Sequence, residues 1–217
     1  MYSLRYVCYI NVMSYIIAGL GNPGTEYENT RHNTGRIVLD VIRKELDGGD
    51  FVFDKKLNAQ IATIKVGKAE VMLVAPDTFM NKSGNALKSL VKVKANAKLK
   101  LKTADDFLVI YDDFQLPLGR IKISYNKSSG GHNGLESVIK AVKTEAFPRL
   151  RVGTAAANAK GEAKVPHGDD KIEKFILGKF KDDELKVVKK LGKKAAEVIQ
   201  VWIKEGREKA TNVCNTG

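Results

Sequence analysis

The sequence predicts an α/β fold: a single domain in which a mixed central β-sheet is sandwiched between helices. Short apolar runs of strand length alternate with amphipathic helical patterns along the chain, which is the arrangement of layered α/β domains. Two of those runs, Tyr15-Ile16-Ile17-Ala18 and Phe107-Leu108-Val109-Ile110-Tyr111, are continuously apolar, as strands covered on both faces are. With 217 residues, 43% of them hydrophobic, the chain can also bury one sizeable core.

The first strand opens directly into a polar loop, residues 19–35, that carries Asn22, Tyr27 and His32. Gly19, Gly21 and Gly24 match the dinucleotide fingerprint G-x-G-x-x-G. That motif needs a helix to open at its last glycine, and the segment after Gly24 has no helical face. Pro23 also removes a backbone N–H that could face a phosphate. A helix follows instead, capped by Asn33 or Thr34 and running to about residue 46, with Ile37, Val38, Val41 and Ile42 on one face. Residues 58–66 and 70–75 form a hairpin about Gly67-Lys68, and Pro76 ends its second arm. Thr78-Phe79-Met80-Asn81 comes next, and Ser83 is expected to cap a helix with Ala86, Leu87, Leu90 and Val91 as its stripe.

Residues 92–102 are lysine-rich and read as a helix end and exposed connector. The apolar strand at 107–111 then delivers Asp112 and Asp113 to its C-terminal end, and a turn at 116–119 leads to a strand at 120–125. A glycine-rich loop, 126–133, runs into a helix faced by Leu135, Val138, Ile139 and Val142. After a short strand at 148–153 and an Ala-, Gly- and Lys-rich loop at 154–170, a long helix at about 182–206 closes the chain. Its inner face holds Leu185, Val188, Val198, Ile199, Trp202 and Ile203, and its outer face is mostly lysine.

Lys and Arg number 37 against 25 Asp and Glu, a formal charge of +12. Such a surplus attracts polyanions, although a basic surface can also be inert. Cys8 and Cys214 lie near opposite ends without C-x-x-C spacing, so neither a disulfide framework nor a zinc site follows, and a reducing cytoplasm is the simplest compartment. No stretch approaches the ~18 apolar residues of a membrane span. Residues 1–12 are read as an N-terminal leader, with Met13 able to serve as a start, and 13–217 as the α/β domain.

Four segments bring functional groups to the C-terminal edge of the expected sheet: Asn22 with His32, then Asn81, then Asp112, then Asn133. A histidine beside an aspartate can act as a base whose tautomer the carboxylate fixes, and carboxamides can donate to a carbonyl oxygen or oxyanion. No G-x-S-x-G motif supplies a nucleophile, so water is the attacking group and hydrolysis the reaction. Each residue also has a plainer reading: Asp112 as a turn residue, Asn22 before a proline as another, Asn33 and Asn133 as helix caps. A metal site would use His and Asp too, but neither H-x-x-H nor H-E-x-x-H occurs.

Gly19-Leu20-Gly21-Asn22-Pro23-Gly24 with Tyr27 and Thr30-Arg31-His32-Asn33 resembles the opening signature of bacterial peptidyl-tRNA hydrolases. Thr78-Phe79-Met80-Asn81 with Ser83-Gly84 resembles their second motif. Gly130-Gly131-His132-Asn133-Gly134-Leu135, followed by Arg149-Leu150-Arg151-Val152-Gly153, resembles their third. Phe175-Ile176-Leu177-Gly178-Lys179-Phe180 is similar to the start of their closing segment. The resemblance implies a cytoplasmic, metal-free and cofactor-free monomer that cleaves the ester between a peptide and the terminal ribose of tRNA. On it, His32 matches the general base, Asp112 the carboxylate that holds it, and Asn22 the residue that tells blocked from free aminoacyl groups. Tyr27, Phe79, Asn81 and Asn133 match contacts to substrate and tRNA end, and Lys122 and Arg151 fall near positions that hold phosphate. The sequence departs from the family pattern at three places: Tyr111 stands where a histidine usually precedes the aspartate, Gln115 replaces a later aspartate, and Thr154-Ala155-Ala156 leads into a longer basic loop. Two other classes stay open on the residues alone, a basic module that holds RNA ends without cleaving them and an NAD-binding oxidoreductase.

Overall fold

The structure is a computed structural model that describes residues 13–91 and 104–216. The expected leader and the lysine-rich connector lie outside the described residues. Seven strands, β1 (Met13–Gly19), β2 (Val52–Asp54), β3 (Ala59–Val66), β4 (Ala69–Pro76), β5 (Phe107–Pro117), β6 (Ile121–Tyr125) and β7 (Pro148–Ala155), make one sheet in the order β2-β3-β4-β1-β5-β7-β6. Six helices are α1 (Thr34–Glu45), α2 (Ser83–Leu87), α3 (Asn133–Val142), α4 (Asp169–Leu177), α5 (Asp182–Glu205) and α6 (Arg207–Thr216). Strands β4, β1, β5 and β7 are parallel, whereas β2, β3 and β6 run antiparallel to their neighbours.

The parallel centre explains the continuous apolar runs. Successive side chains leave a strand on opposite faces, so a strand covered on both sides must be apolar at every position. In β1, Ile17 enters the core shared with α1, α5 and α6, while Ile16 and Ala18 enter the core shared with α2 and α3. In β5, Leu108 and Ile110 alternate with Phe107, Val109 and Tyr111 in the same way. Ligand-bearing loops of such a sheet leave the carboxyl ends of its parallel strands, and all four expected segments do so here or lie beside them.

The elements depart from expectation where their apolar signal is weak. Strand β2 is a three-residue edge with exposed Val52 and Phe53, helix α4 buries none of its residues fully, and α6 buries only Ala210 and Cys214. Strand β2 and helix α6 have too few buried apolar residues to announce them, and the one short stripe of α4, Ile172, Phe175 and Ile176, is only half-buried. Strand β5 runs on to Pro117, so Asp112 and Asp113 lie within it and the expected turn at 116–119 begins inside the strand. Ser83 does not cap α2: its hydroxyl donates to the Met80 carbonyl at 2.8 Å, one turn back.

Close backbone packing fixes the edge that carries the polar loops. The Leu20 N–H donates to the Ile110 carbonyl at 3.0 Å, and the Arg36 N–H donates to the Leu20 carbonyl at 3.1 Å. Gly35 is wedged at that junction, where a methyl group would collide with the Ile110 carbonyl and the Leu20 backbone. His32 lies three residues before this wedge and Asp112 two residues beyond Ile110. Gly35→Ala is therefore expected to destabilise the protein by about 1–3 kcal/mol, the usual range for overpacking. It should also lower activity more than that loss explains, and an unchanged melting temperature with parental turnover would show that the wedge sets nothing.

Candidate active site

Asp112 is the centre of the site. Its carboxylate is buried, with His32 Nδ1 at 3.0 Å from Oδ1 and 3.1 Å from Oδ2 and His132 Nε2 at 2.9 Å from Oδ1. The protons can be placed from the partners. A backbone N–H can only donate, and the Leu135 N–H lies 3.1 Å from His132 Nδ1, so that nitrogen is an acceptor and Nε2 holds the proton given to Asp112. His32 likewise gives its Nδ1 proton to the carboxylate. Its Nε2 has no protein partner among the described residues. Burial would lift the Asp112 carboxyl, yet the two histidines outweigh it and hold it well below the usual carboxylate range. Burial pulls His32 down, but the Asp112 charge and hydrogen bond more than offset this, and its pKa lies above the ordinary histidine value.

His132 was not among the expected site residues. Its signal lay in the glycine-rich loop, where only Asn133 stood out. The helix begins one residue earlier than that reading assumed: His132 is the N-cap of α3 and Asn133 its first, exposed residue. Tyr111, the departure beside Asp112, packs edge-on against the His132 ring with centroids 4.9 Å apart, and burial, with Asp113 next, pushes its own pKa up to about 12.

Asn22 is nearly buried and oriented at both ends. Its side-chain oxygen accepts from the Met80 N–H at 2.7 Å, which leaves the amide nitrogen as the end for a ligand. Asn33, expected as a cap, braces it instead: Oδ1 accepts from the Asn22 N–H at 2.8 Å and Nδ2 donates to the Asn22 carbonyl at 2.9 Å. Arg31, next to His32, reaches across to the Gly178 and Lys179 carbonyls and to Glu184 at the start of α5, with the Phe175 and Phe180 rings beneath its guanidinium.

The other expected site residues lie on the opening loop, on the turn after β4, at the start of α3 and on strands β6 and β7. Tyr27 and Phe79 meet edge to face with centroids 6.4 Å apart, and the Phe79 ring is exposed. Asn81 is exposed on the 3-10 turn Met80–Lys82. Lys122 on β6 pairs in register with Arg151 on β7, and both line a cleft of about 380 Å³ together with Asp112 and His132. Arg151 gives its Nε to Asp113 at 2.6 Å, so one edge of its fork is held inside the fold. The loop bearing His132 is anchored from below by Arg149, whose wholly buried guanidinium donates to the Ser128 and Glu145 carbonyls.

His32, Asp112 and His132 place three ligand-type atoms within 4.8 Å of one another, a cluster that motif spacing did not foresee. The hydrogen bonds argue against a cation there. Each imidazole presents to Asp112 the nitrogen that carries its proton, and freeing His132 Nε2 would require either an imidazolate or loss of the α3 cap.

Sheet order, carboxyl-edge loops and a carboxylate-held imidazole define an α/β enzyme of the hydrolase class. The chain belongs to the peptidyl-tRNA hydrolase family, whose model matches residues 16–217. It is 36% identical to the peptidyl-tRNA hydrolase of Desulfitobacterium hafniense, over 92% of this chain and 98% of that one. To that of Caldanaerobacter subterraneus it is 39% identical, over 93% and 99%. The crystal structure of peptidyl-tRNA hydrolase from Acinetobacter baumannii superposes with a TM-score of 0.78 at 25% identity, covering 94% of this chain and 96% of that one. A further solved peptidyl-tRNA hydrolase, in complex with N-propanol, gives 0.79 at 26% identity.

The shared carboxylate yields opposite predictions for its neighbours. A base must be neutral to work, so the acid limb of the kcat/KM profile follows the His32 pKa. Asp112→Asn removes the charge and keeps the burial, so the limb should fall by about one unit or more, with a lower maximal rate. His132→Ala withdraws a competing donor from Asp112 and leaves more of its charge to His32, so the limb should rise by about half a unit to one unit. Limbs that move the same way in both variants would refute the arrangement.

Proposed function

We propose that the chain hydrolyses the ester joining a peptide, or an N-blocked aminoacyl group, to the terminal ribose of tRNA, with His32 as base. The observation that carries this is the grip of buried Asp112 on His32 Nδ1, at 3.0 and 3.1 Å, which leaves Nε2 as the basic nitrogen. A water between Nε2 and the ester carbonyl gives its proton to Nε2 as its oxygen attacks the carbon. The Asn22 amide N–H, with Asn81 and Asn133 nearby in the chain's edge loops, donates to the carbonyl oxygen as it becomes an oxyanion. Collapse expels the ribose oxygen, which takes the proton back from His32. Tyr27 and Phe79 offer rings for a terminal base, and Lys122 and Arg151 offer charge to a phosphate.

The orientation of Asn22 supports its role in choosing substrates. With its oxygen held by the Met80 N–H, the free end of its side chain only donates, so it suits a neutral peptide carbonyl and opposes a desolvated ammonium. Family membership supports a peptidyl-tRNA substrate, and no helix among the described residues is long and apolar enough to cross a membrane. We place the protein in the cytoplasm as a monomer, acting without metal or cofactor; light scattering of the purified protein checks the monomer.

The experiment is incubation with N-acetyl-aminoacyl-tRNA in the presence of a chelator, following release of the blocked amino acid. His32→Ala should lower turnover by roughly two orders of magnitude or more with little change in melting temperature. Binding of tRNA without cleavage by the parent would leave an RNA-end binding module. Activity that vanishes on exhaustive chelation and returns with Zn²⁺ would overturn the metal-free reading.

Free aminoacyl-tRNA should be a poor substrate, and Asn22→Asp should narrow the difference, because a carboxylate offers an acceptor where the parent offers only a donor. Equal cleavage of blocked and free substrates by the parent would remove Asn22 from this role.

A further inference from the structure

Lys122 lines two cavities. One is the cleft of the candidate active site; the other, of about 180 Å³, opens along β6 toward α5 and α6, and Arg120, Ile121, Lys122, Lys194, Cys214 and Asn215 are among its walls. Every charged residue that lines the second cavity is a cation: Arg120, Lys122 and Lys194. The active-site cleft, by contrast, contains Asp112 and Asp113.

The three cations also have no ion-pair partner among the described residues. Among the described residues none of them has a carboxylate within ion-pair distance, although Arg151 pairs with Asp113 at 2.6 Å and Lys193 with Glu45 at 3.0 Å. Convergence of like charge costs free energy, so such a group is best explained by an anion that completes it. The other walls add no negative charge. Burial pushes the Cys214 thiol up and keeps it protonated. Asn215 is committed to the free edge of β6, accepting from the Ile123 N–H at 2.8 Å and donating to the Ile123 carbonyl at 3.1 Å. Strand alternation turns the Ile121 N–H toward the same edge, which adds a backbone donor to the cavity wall.

We propose that this cavity binds a phosphate of the nucleic-acid part of the substrate, at a position on its backbone beyond the end held in the active-site cleft. Lys122 joins the two sites, so one chain of phosphates passes from the cleft over Lys122 to Arg120 and Lys194. The assignment rests on the peptidyl-tRNA reading for its substrate, but the site itself is built only from this chain's own residues.

The test compares the parent with Arg120→Gln/Lys194→Gln, using full-length N-acetyl-aminoacyl-tRNA, a short N-acetyl-aminoacyl fragment ending in CCA, and uncharged tRNA. For full-length substrate the variant should show a severalfold higher KM, an unchanged kcat, and a log–log salt slope of tRNA binding lower by about one to two units. The short fragment should be cleaved with parental constants, because it does not extend to the second cavity. A parental KM and salt slope in the variant would overturn the proposal, as would an equal loss on the short fragment. Inorganic phosphate is the control ligand: phosphate that raises the parent's melting temperature but not the variant's, with tRNA slopes equal, would assign the cavity to free phosphate instead. Failure of the parent to cleave either substrate would refute the proposed function, while the salt slope for uncharged tRNA would still decide the cavity.

Discussion

The site depends on one carboxylate that accepts from two imidazoles. Asp112 could not stay ionised at its burial without donors, and His32 would not be held in one tautomer without Asp112. The two histidines are not equivalent. His132 is tied at both nitrogens, by the Leu135 N–H and by the carboxylate, so it serves as a fixed donor. His32 is tied at one nitrogen, and its other nitrogen is the group that can exchange protons. The asymmetry arises from secondary structure, since the same ring that feeds Asp112 also closes the first turn of α3.

Beyond the Arg151–Asp113 and Arg31–Glu184 pairs, backbone groups do much to arrange the other parts of the site. Asn33 holds Asn22 by its peptide, the Met80 N–H turns the Asn22 side chain, and Arg36 ties the start of α1 to the Pro76 carbonyl at 2.9 Å. Buried Arg149 donates to two carbonyls and lies over a phenyl ring, with no ion pair among the described residues, and burial lowers its pKa although the charge of Glu145 works against the shift. Loops held this way keep their geometry through main-chain contacts, so surface residues such as Asn81, Phe79 and Asn133 can stay exposed for a ligand.

The alternating pattern of the chain was enough to read the layered fold, because the central strands are buried on both faces and the main helices have one apolar stripe each. Elements whose stability comes from context were not legible. Helix α4 has one short apolar stripe that is only half-buried, and α6, poor in large apolar residues, is held by contacts to distant elements such as Arg207 over the Tyr125 ring at 3.9 Å. Within the site, strand-end position and motif together singled out His32, Asp112 and Asn22. They did not single out His132, because a histidine just before a helix reads as a loop residue until the partner of its other nitrogen is known. Asn33 was visible but given the wrong task, since capping is a local role and its true partner is the peptide of Asn22.

Arg31 connects the beginning of the chain to its last third. Through the Gly178 and Lys179 carbonyls and Glu184, and through the bridge between Thr30 and Lys179, the loop that holds His32 is fastened to residues almost 150 positions later, as in the 147-residue separation of Arg31 from Gly178. During synthesis, β1 and its loop emerge early, Asp112 follows at mid-chain, and the partners of this fastening come only in the last third. Pairings of such sequence separation also form slowly. A chain that stops short of residue 178 lacks this fastening, so the loop that carries His32 is secured from both ends only once the last third has been made.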